Sequence, residues 1–222
     1  MPDPSSPAPP APWSKPRGLL LDAMGTLIGL QRPVGSSYAA VAAEHGISLE
    51  AEAADAAFRQ VLSQAPPLAF GSLEPDALLR AEQEWWGERI RETFNQAGAP
   101  EPEQDLRLAL FEHFAQGAQW QVFPDVLQQL QRWHAAGLKL AVVSNFDRRL
   151  HGLLEQLDLD LWFDAVVVSS EAGAAKPDPR PFALALSALE LKADEAWHVG
   201  DSPEDLAGAR AAGLRCVLIE RG

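Results

Sequence analysis

The stretch "LLLDAMGTLIGL", residues 19–30, is an apolar run that stops at Asp22, turns through Gly25 and Thr26, and continues as a second apolar run. An apolar run without alternation is typical of a strand that is buried on both faces, as in a parallel sheet. A charge at the end of such a strand lies at the sheet edge where open α/β folds bind their ligands. The stretch therefore predicts a buried strand with Asp22 at its carboxyl end.

Four later stretches repeat the strand pattern and alternate with helical segments. The strand-like stretches are "LKLAVVSN", "DAVVVSS", "AWHVGD" and "LRCVLIE". The helical segments begin at residues that favour helix N-caps, namely Asp125, Asp147, Asp178 and Ser202. This alternation predicts an α/β core, a doubly wound parallel sheet (Rossmann-like) built from right-handed crossovers.

Residues 30–121 interrupt this alternation. They show no clear strand pattern, but apolar residues recur at helical spacing, as at Leu78, Ile90 and Phe94. We expect a helical cap domain inserted after the first strand and lying over the carboxyl ends of the sheet. The predicted α/β core then comprises residues 17–29 and 122–222, and the Pro-, Ser- and Ala-rich residues 1–16 form a disordered tail.

Composition restricts the class of partner. The 222 residues include 18 Lys and Arg against 31 Asp and Glu, a formal charge of -13 that opposes binding to nucleic acid or to an anionic membrane. The single cysteine, Cys216, excludes an intramolecular disulfide, as is usual in a reducing compartment. The sequence also shows no apolar stretch of membrane-spanning length and no signal-peptide pattern. We expect a cytoplasmic protein with no nucleic-acid or membrane partner; the oligomeric state is left open.

Polar residues follow the predicted strands at their carboxyl ends. Asp22, Ser144, Asn145 and Asp201 each follow an apolar run, and Lys176, one of only four lysines, lies shortly after another. Each residue alone is explained by a turn or a helix cap. Together, a carboxylate nucleophile, a hydroxyl, an amide, a lysine and a further carboxylate suit metal-assisted phosphoryl transfer.

Four segments resemble a known family. In order, "LLLDAMGTL", "VVSNFD", "AAKPDPRPF" and "VGDSPEDLAGARAAG" are similar to the four motifs of the haloacid dehalogenase superfamily of hydrolases, at the spacing of subfamily I members with a helical cap. The resemblance covers residues 18–222. Four ordered motifs are far more specific than any one of them.

The resemblance implies a role for each matching residue. Asp22 would be the nucleophile that forms an aspartyl intermediate, and Lys176 would neutralise its charge and that of the phosphate. A small phosphorylated molecule would be the substrate and Mg²⁺ the cofactor. The implied phosphate-binding residues are Gly25, Thr26, Ser144, Asn145 and Lys176. The implied Mg²⁺ ligands are Asp22, the backbone carbonyl of Met24, Asp201 and Asp205.

Met24 departs from the family pattern, because phosphatases of the superfamily usually carry an aspartate there that protonates the leaving oxygen. A general acid or base contributes about 10²- to 10⁴-fold in rate. One interpretation is a slow Mg²⁺-dependent phosphatase that uses substrates with good leaving groups or takes its proton from elsewhere. His45 and His113 of the predicted cap are the histidines that this interpretation considers.

Three other interpretations follow from Met24. A 2-haloacid dehalogenase also lacks the second aspartate and uses no metal, but Asp201 and Asp205 would then raise the pKa of the nucleophile and oppose an anionic substrate. A phosphonatase needs a cap lysine, and residues 30–121 contain none. The last is a non-catalytic phosphate-binding or regulatory protein of the same fold.

Overall fold

A computed structural model describes residues 15–221 of the chain. The predicted tail, residues 1–16, lies outside the described residues except for its last two. Five parallel strands form the main sheet in the spatial order β5-β4-β1-β6-β7. They are β1 (Gly18–Leu21), β4 (Lys139–Ser144), β5 (Ala165–Val168), β6 (Ala196–Gly200) and β7 (Arg215–Leu218). The predicted α/β parallel-sheet fold is confirmed.

Helices cover both faces of this sheet. They are α5 (Val126–Ala135), α6 (Arg149–Gln156), the short α7 (Ser169–Ala172), α8 (Arg180–Leu189) and α9 (Pro203–Ala211). Leu19 and Leu21 of β1 pack into one apolar cluster, with residues of α5 and α6, whereas Leu20 packs into another, with residues of α8 and α9. Because successive side chains of a strand point to opposite faces, burial on both faces explains the uninterrupted apolar runs.

Between β1 and α5 the chain forms four helices that pack on one another, here called the helical insertion. These are α1 (Val34–Glu44), α2 (Ala51–Gln64), α3 (Pro75–Gln96) and α4 (Gln104–His113). Their common core includes Tyr38, Ile90, Phe94, Leu106 and Leu110. Among the described residues none of the helices is both long and apolar enough to cross a membrane.

The insertion is joined to the sheet by strands that the sequence did not predict. The strands β2 (Ile28–Leu30) and β3 (Trp120–Val122) pair antiparallel, with Ile28 opposite Val122. The expectation that residues 30–121 hold no strand is therefore wrong at both ends. Each strand has only three residues, too few to show a periodicity, and its partner lies about ninety positions away in the sequence.

A buried polar network attaches the insertion to the core. Glu82 of α3 is 1% exposed and accepts hydrogen bonds from Ser170 Oγ at 2.7 Å and from the backbone and side-chain nitrogens of Arg148 at 3.1 and 3.2 Å. Trp86 Nε1 donates to Asp147 Oδ2 at 2.6 Å, and Arg149 donates to both oxygens of the same carboxylate. We call these residues the insertion–core network.

Candidate active site

Asp22 follows the central strand β1 and is 6% exposed. Its Oδ1 atom accepts hydrogen bonds from Ser144 Oγ at 3.0 Å and from Lys176 Nζ at 2.6 Å. Within residues 15–221, Oδ2 of this carboxylate accepts no hydrogen bond. The carboxylate is thus held through one oxygen while the other is free to attack.

Lys176 lies between two carboxylates. Its Nζ atom donates to Asp22 Oδ1 at 2.6 Å, to Asp205 Oδ1 at 2.6 Å and to the carbonyl of Val143 at 3.0 Å. Burial acts to lower the pKa of Lys176, but the negative charges of Asp22 and Asp205 outweigh it and raise this pKa above its usual value. An ammonium has three N–H groups, and here they bind Asp22, Asp205 and the Val143 carbonyl. The lysine thus compensates the charge of both carboxylates, and its predicted contact with phosphate stays a prediction.

Asn145 binds the backbone of Lys176 through both ends of its side-chain amide. Its Nδ2 donates to the carbonyl of Lys176 at 2.9 Å, and its Oδ1 accepts from the backbone N–H of Lys176 at 2.7 Å. The side chain thus binds both backbone polar groups of Lys176 and positions this residue. Its predicted contact with phosphate stays a prediction.

Asp205 is fully buried and its two oxygens accept several hydrogen bonds. Oδ1 binds Lys176 Nζ and His198 Nε2, and Oδ2 accepts from Ser202 Oγ at 2.7 Å and from the backbone N–H groups of Ser202 and Asp201. Burial acts to raise the pKa of Asp205, but the hydrogen bond from His198 and the charge of Lys176 outweigh it and hold this pKa below its usual range. These hydrogen bonds hold the Asp205 carboxylate in place between Lys176 and the backbone of Asp201. Its predicted part in metal binding stays a prediction.

The loop after β1 lies directly against Asp201. Thr26 Oγ1 is 3.4 Å from Asp201 Oδ1, and Gly25 has a φ of +81°. A Cβ atom on Gly25 would collide with the Asp201 carboxylate, so this position needs glycine for its conformation and for the close approach. Burial, together with the charges of Asp22 and Asp205, raises the pKa of Asp201.

Met24 occupies the exposed part of this loop. Its side chain is 45% exposed, and its backbone forms an isolated bridge with Ile28. Within residues 15–221 its carbonyl oxygen accepts no hydrogen bond. The thioether offers no acidic proton, and no hydrogen bond links His45 or His113 to Asp22 or Asp201 among the described residues. Burial lowers the pKa of His113.

The donor set fits a hard divalent cation. Asp22, Asp201 and Asp205 each offer a carboxylate oxygen, and these atoms lie within 4.8 Å of one another. Within residues 15–221, Lys176 forms ion pairs with Asp22 and Asp205, whereas Asp201 forms none. Oxygen ligands from a few carboxylates and a carbonyl, completed by water, are what Mg²⁺ prefers.

His198 was missed by the sequence analysis. It lies within β6, is completely buried, and bonds to Asp205 through Nε2 at 2.8 Å. The available signal was a titratable residue inside the apolar run "AWHVGD", three positions before Asp201. Strand periodicity alone does not distinguish such a residue from ordinary core packing.

Comparisons with known proteins agree with this geometry. The family model of the haloacid dehalogenase-like hydrolases matches residues 16–213. The "Haloacid dehalogenase-like hydrolase domain-containing protein 3" of Bos taurus is 39% identical over 206 residues, which cover 91% of this chain and 81% of the relative.

Two solved structures show the same fold. The CbbY protein of Rhodobacter sphaeroides in complex with phosphate has a TM-score of 0.67 at 20% identity, covering 93% of this chain and 87% of its own. The L-2-haloacid dehalogenase of Xanthobacter autotrophicus with chloropropionic acid covalently bound has a TM-score of 0.67 at 23% identity, covering 91% and 77%. The family model, the relative and the fold agree, and the chain belongs to the haloacid dehalogenase-like hydrolases.

Proposed function

We propose that this protein is a Mg²⁺-dependent phosphatase that hydrolyses small phosphate esters through an aspartyl-phosphate on Asp22. The observation that carries the proposal is the asymmetric Asp22 carboxylate, with Oδ1 bound by Ser144 and Lys176 and Oδ2 free. Asp201 stands beside it, and burial together with the charges of Asp22 and Asp205 raises the pKa of Asp201. A bare cluster of this kind would repel an incoming phosphate.

In the first step, Oδ2 of Asp22 attacks phosphorus, so that an O–P bond forms and the bond to the leaving oxygen breaks. Lys176 keeps the carboxylate oriented and compensates its charge. In the second step, water attacks the phosphorus of the aspartyl-phosphate, which releases inorganic phosphate and restores Asp22. Asp22, Asp201 and the Met24 carbonyl would hold Mg²⁺, which when bound would neutralise charge on the transferring group.

The remaining residues support these steps. Ser144 is placed to contact both the nucleophile and a phosphoryl oxygen, and Asp205 fixes the backbone of Asp201. The helical insertion acts as the cap, with the domain boundaries at residues 30 and 121, and selects the substrate. We further propose a cytoplasmic location and no nucleic-acid or membrane partner, on the basis of the charge of -13 and the single cysteine.

A substrate panel with and without Mg²⁺ tests the proposal. It comprises nitrophenyl phosphate, acetyl phosphate, glycerol phosphate and 2-chloropropionate, each with added Mg²⁺ or with EDTA. We expect Mg²⁺-dependent release of phosphate from the first two. Metal-independent release of chloride would instead identify a 2-haloacid dehalogenase. Met24 favours this second candidate. The pairing of Asp205 with Lys176 and His198 also favours it, because it reduces the negative charge that would oppose an anionic substrate. Tight phosphate binding without turnover would identify a non-catalytic binding protein.

A further inference from the structure

His198 is a buried titratable group that the proposed mechanism leaves without a role. It lies in β6 opposite Leu20 of β1 and Cys216 of β7, and its side chain is 0% exposed. The Phe182 ring packs edge-on against the imidazole at a centroid distance of 4.9 Å and an interplanar angle of 90°. The imidazole is therefore fixed in place by packing, with no access to solvent.

The hydrogen bonds of His198 define its tautomer. Nε2 lies 2.8 Å from Asp205 Oδ1, whereas Nδ1 is buried and has no hydrogen-bond partner among the described residues. An ionised Asp205 can only accept, so the proton must be on Nε2.

The same oxygen of Asp205 also accepts from Lys176 Nζ at 2.6 Å. Lys176 in turn donates to Asp22 at 2.6 Å. A continuous chain of hydrogen bonds thus runs from His198 through Asp205 and Lys176 to Asp22. Two donors, His198 Nε2 and Lys176 Nζ, share Asp205 Oδ1. The hydrogen bond from the imidazole weakens the attraction of this oxygen for the ammonium group, which therefore stays closer to Asp22.

We propose that His198 is a positioning residue that acts through Asp205 to set where Lys176 holds its ammonium group, and hence how firmly Lys176 binds the attacking carboxylate of Asp22. The effect on turnover rests on the proposed phosphatase function. The hydrogen-bond chain itself does not depend on that function. His198 touches neither substrate nor metal in this arrangement.

Kinetics on nitrophenyl phosphate tests the proposal. His198→Leu removes the donor, and we expect kcat to fall about 10- to 100-fold, as for loss of a hydrogen bond to a charged group, while KM stays within about 2-fold. His198→Gln places an N–H near the position of Nε2 and should restore most of kcat. Phe182→Leu is the matched control, because it loosens packing on the same ring without removing a hydrogen bond, and should lower the Tm with kcat unchanged. Equal kcat for folded His198→Leu and wild type would overturn the proposal.

Nuclear magnetic resonance gives a readout that does not need turnover. Long-range ¹H–¹⁵N spectra of the wild type should show the Nε2–H tautomer of His198. The ammonium resonance of Lys176 should shift in His198→Leu and return towards its wild-type position in His198→Gln. The Nδ1–H tautomer, or a Lys176 resonance unmoved by these substitutions, would overturn the proposal. If no phosphate ester is hydrolysed, the proposed function fails and these spectra still decide the role of His198.

Discussion

Two charged clusters of this protein differ in how completely their charges are paired. In the insertion–core network, the Asp147 carboxylate is bound by Arg149 and Trp86, and the Glu82 carboxylate is bound by Arg148 and Ser170. At the carboxyl end of the sheet, one lysine pairs with both Asp22 and Asp205. The carboxylate of the exposed Asp201 accepts, within residues 15–221, one hydrogen bond, from Thr26 Oγ1 at 3.4 Å.

The difference distinguishes a structural joint from a binding site. Burying a carboxylate is expensive unless hydrogen bonds and opposite charge compensate it. The insertion–core network meets this condition with the protein's own side chains. The cluster around Asp22 does not, so its excess negative charge is a cost that a bound cation would remove. Incomplete pairing therefore points to a ligand, and the following predictions test that contrast.

The largest effect is expected at the nucleophile. Asp22→Asn removes the charge and the attacking oxygen, and turnover should fall to background with every substrate of the panel. The measurement is single-turnover phosphate release, with circular dichroism to show that the fold is retained. Activity that survives this substitution would disprove the covalent mechanism.

Met24→Asp should complete the site with a proton donor. In the wild type the leaving oxygen departs unprotonated, so rates should depend steeply on leaving-group pKa, with nitrophenyl phosphate far ahead of glycerol phosphate. The substitution should raise the glycerol phosphate rate by up to about 10²- to 10⁴-fold and flatten this dependence. Met24→Asn, which cannot donate a carboxyl proton, is the matched control. Equal wild-type rates on both esters would show that another group supplies the proton.

Glu82→Ala should leave polar groups of the insertion–core network without hydrogen-bond partners. It leaves Ser170 Oγ and the Arg148 backbone N–H without their acceptor, and we expect a loss of about 1–3 kcal/mol in the free energy of unfolding. Urea denaturation measures it, and exposed Glu84→Ala on the same helix serves as the control. A loss of equal size in the control would contradict a specific role for the network.

Asp201→Asn should change the free energy of unfolding least, and it should raise this free energy where Glu82→Ala lowers it. Its folded pKa is raised, so the folded state binds its proton more tightly than the unfolded state does. The stabilisation that protonation provides is present at low pH and is lost as pH rises through the folded pKa. Metal-free Asp201→Asn should therefore be more stable than wild type at pH 7, by less than about 1 kcal/mol because the group is partly solvated, and this advantage should disappear below about pH 4.

Added Mg²⁺ should make the wild type more stable than Asp201→Asn. Mg²⁺ at a concentration of a hundred times Kd is expected to add about 2.7 kcal/mol to the free energy of unfolding of the wild type, which a rise in Tm measures. Asp201→Asn should respond little, because it loses one charged ligand. Identical Mg²⁺ responses of the two proteins would exclude Asp201 as a ligand.

The parallel sheet could be predicted from sequence because its inner strands β1 and β4 are buried on both faces and the later strands alternate with helices. The start of one helix could also be predicted, since the Ser202 side chain accepts from the Asp205 backbone N–H where the helix was expected to begin. The short pair β2 and β3 could not be predicted, because pairing between distant three-residue segments leaves no local pattern.

The site was predictable in residue type and less so in role. The loop positions of Asp22 and Lys176 follow from strand ends. The hydrogen-bond partners of the Lys176 ammonium and of the Asn145 amide, however, are known only from the three-dimensional structure. Glu82 of the insertion–core network resembled a solvated helix residue, since its partner Arg148 is 66 positions away. His198 resembled core packing for the same reason.

The central position of β1 has a consequence for biosynthesis. Its neighbours in the sheet are β4 and β6, and Ser144, which ends β4, is 122 residues beyond Asp22. At synthesis rates of about 5–20 residues per second, the ribosome needs roughly 6–24 s to reach it. During that interval the first strand has both edges unpaired, while the helical insertion can already form from local contacts. Asp22 is therefore made well before Ser144 and Lys176, the residues that bind its carboxylate in the folded protein.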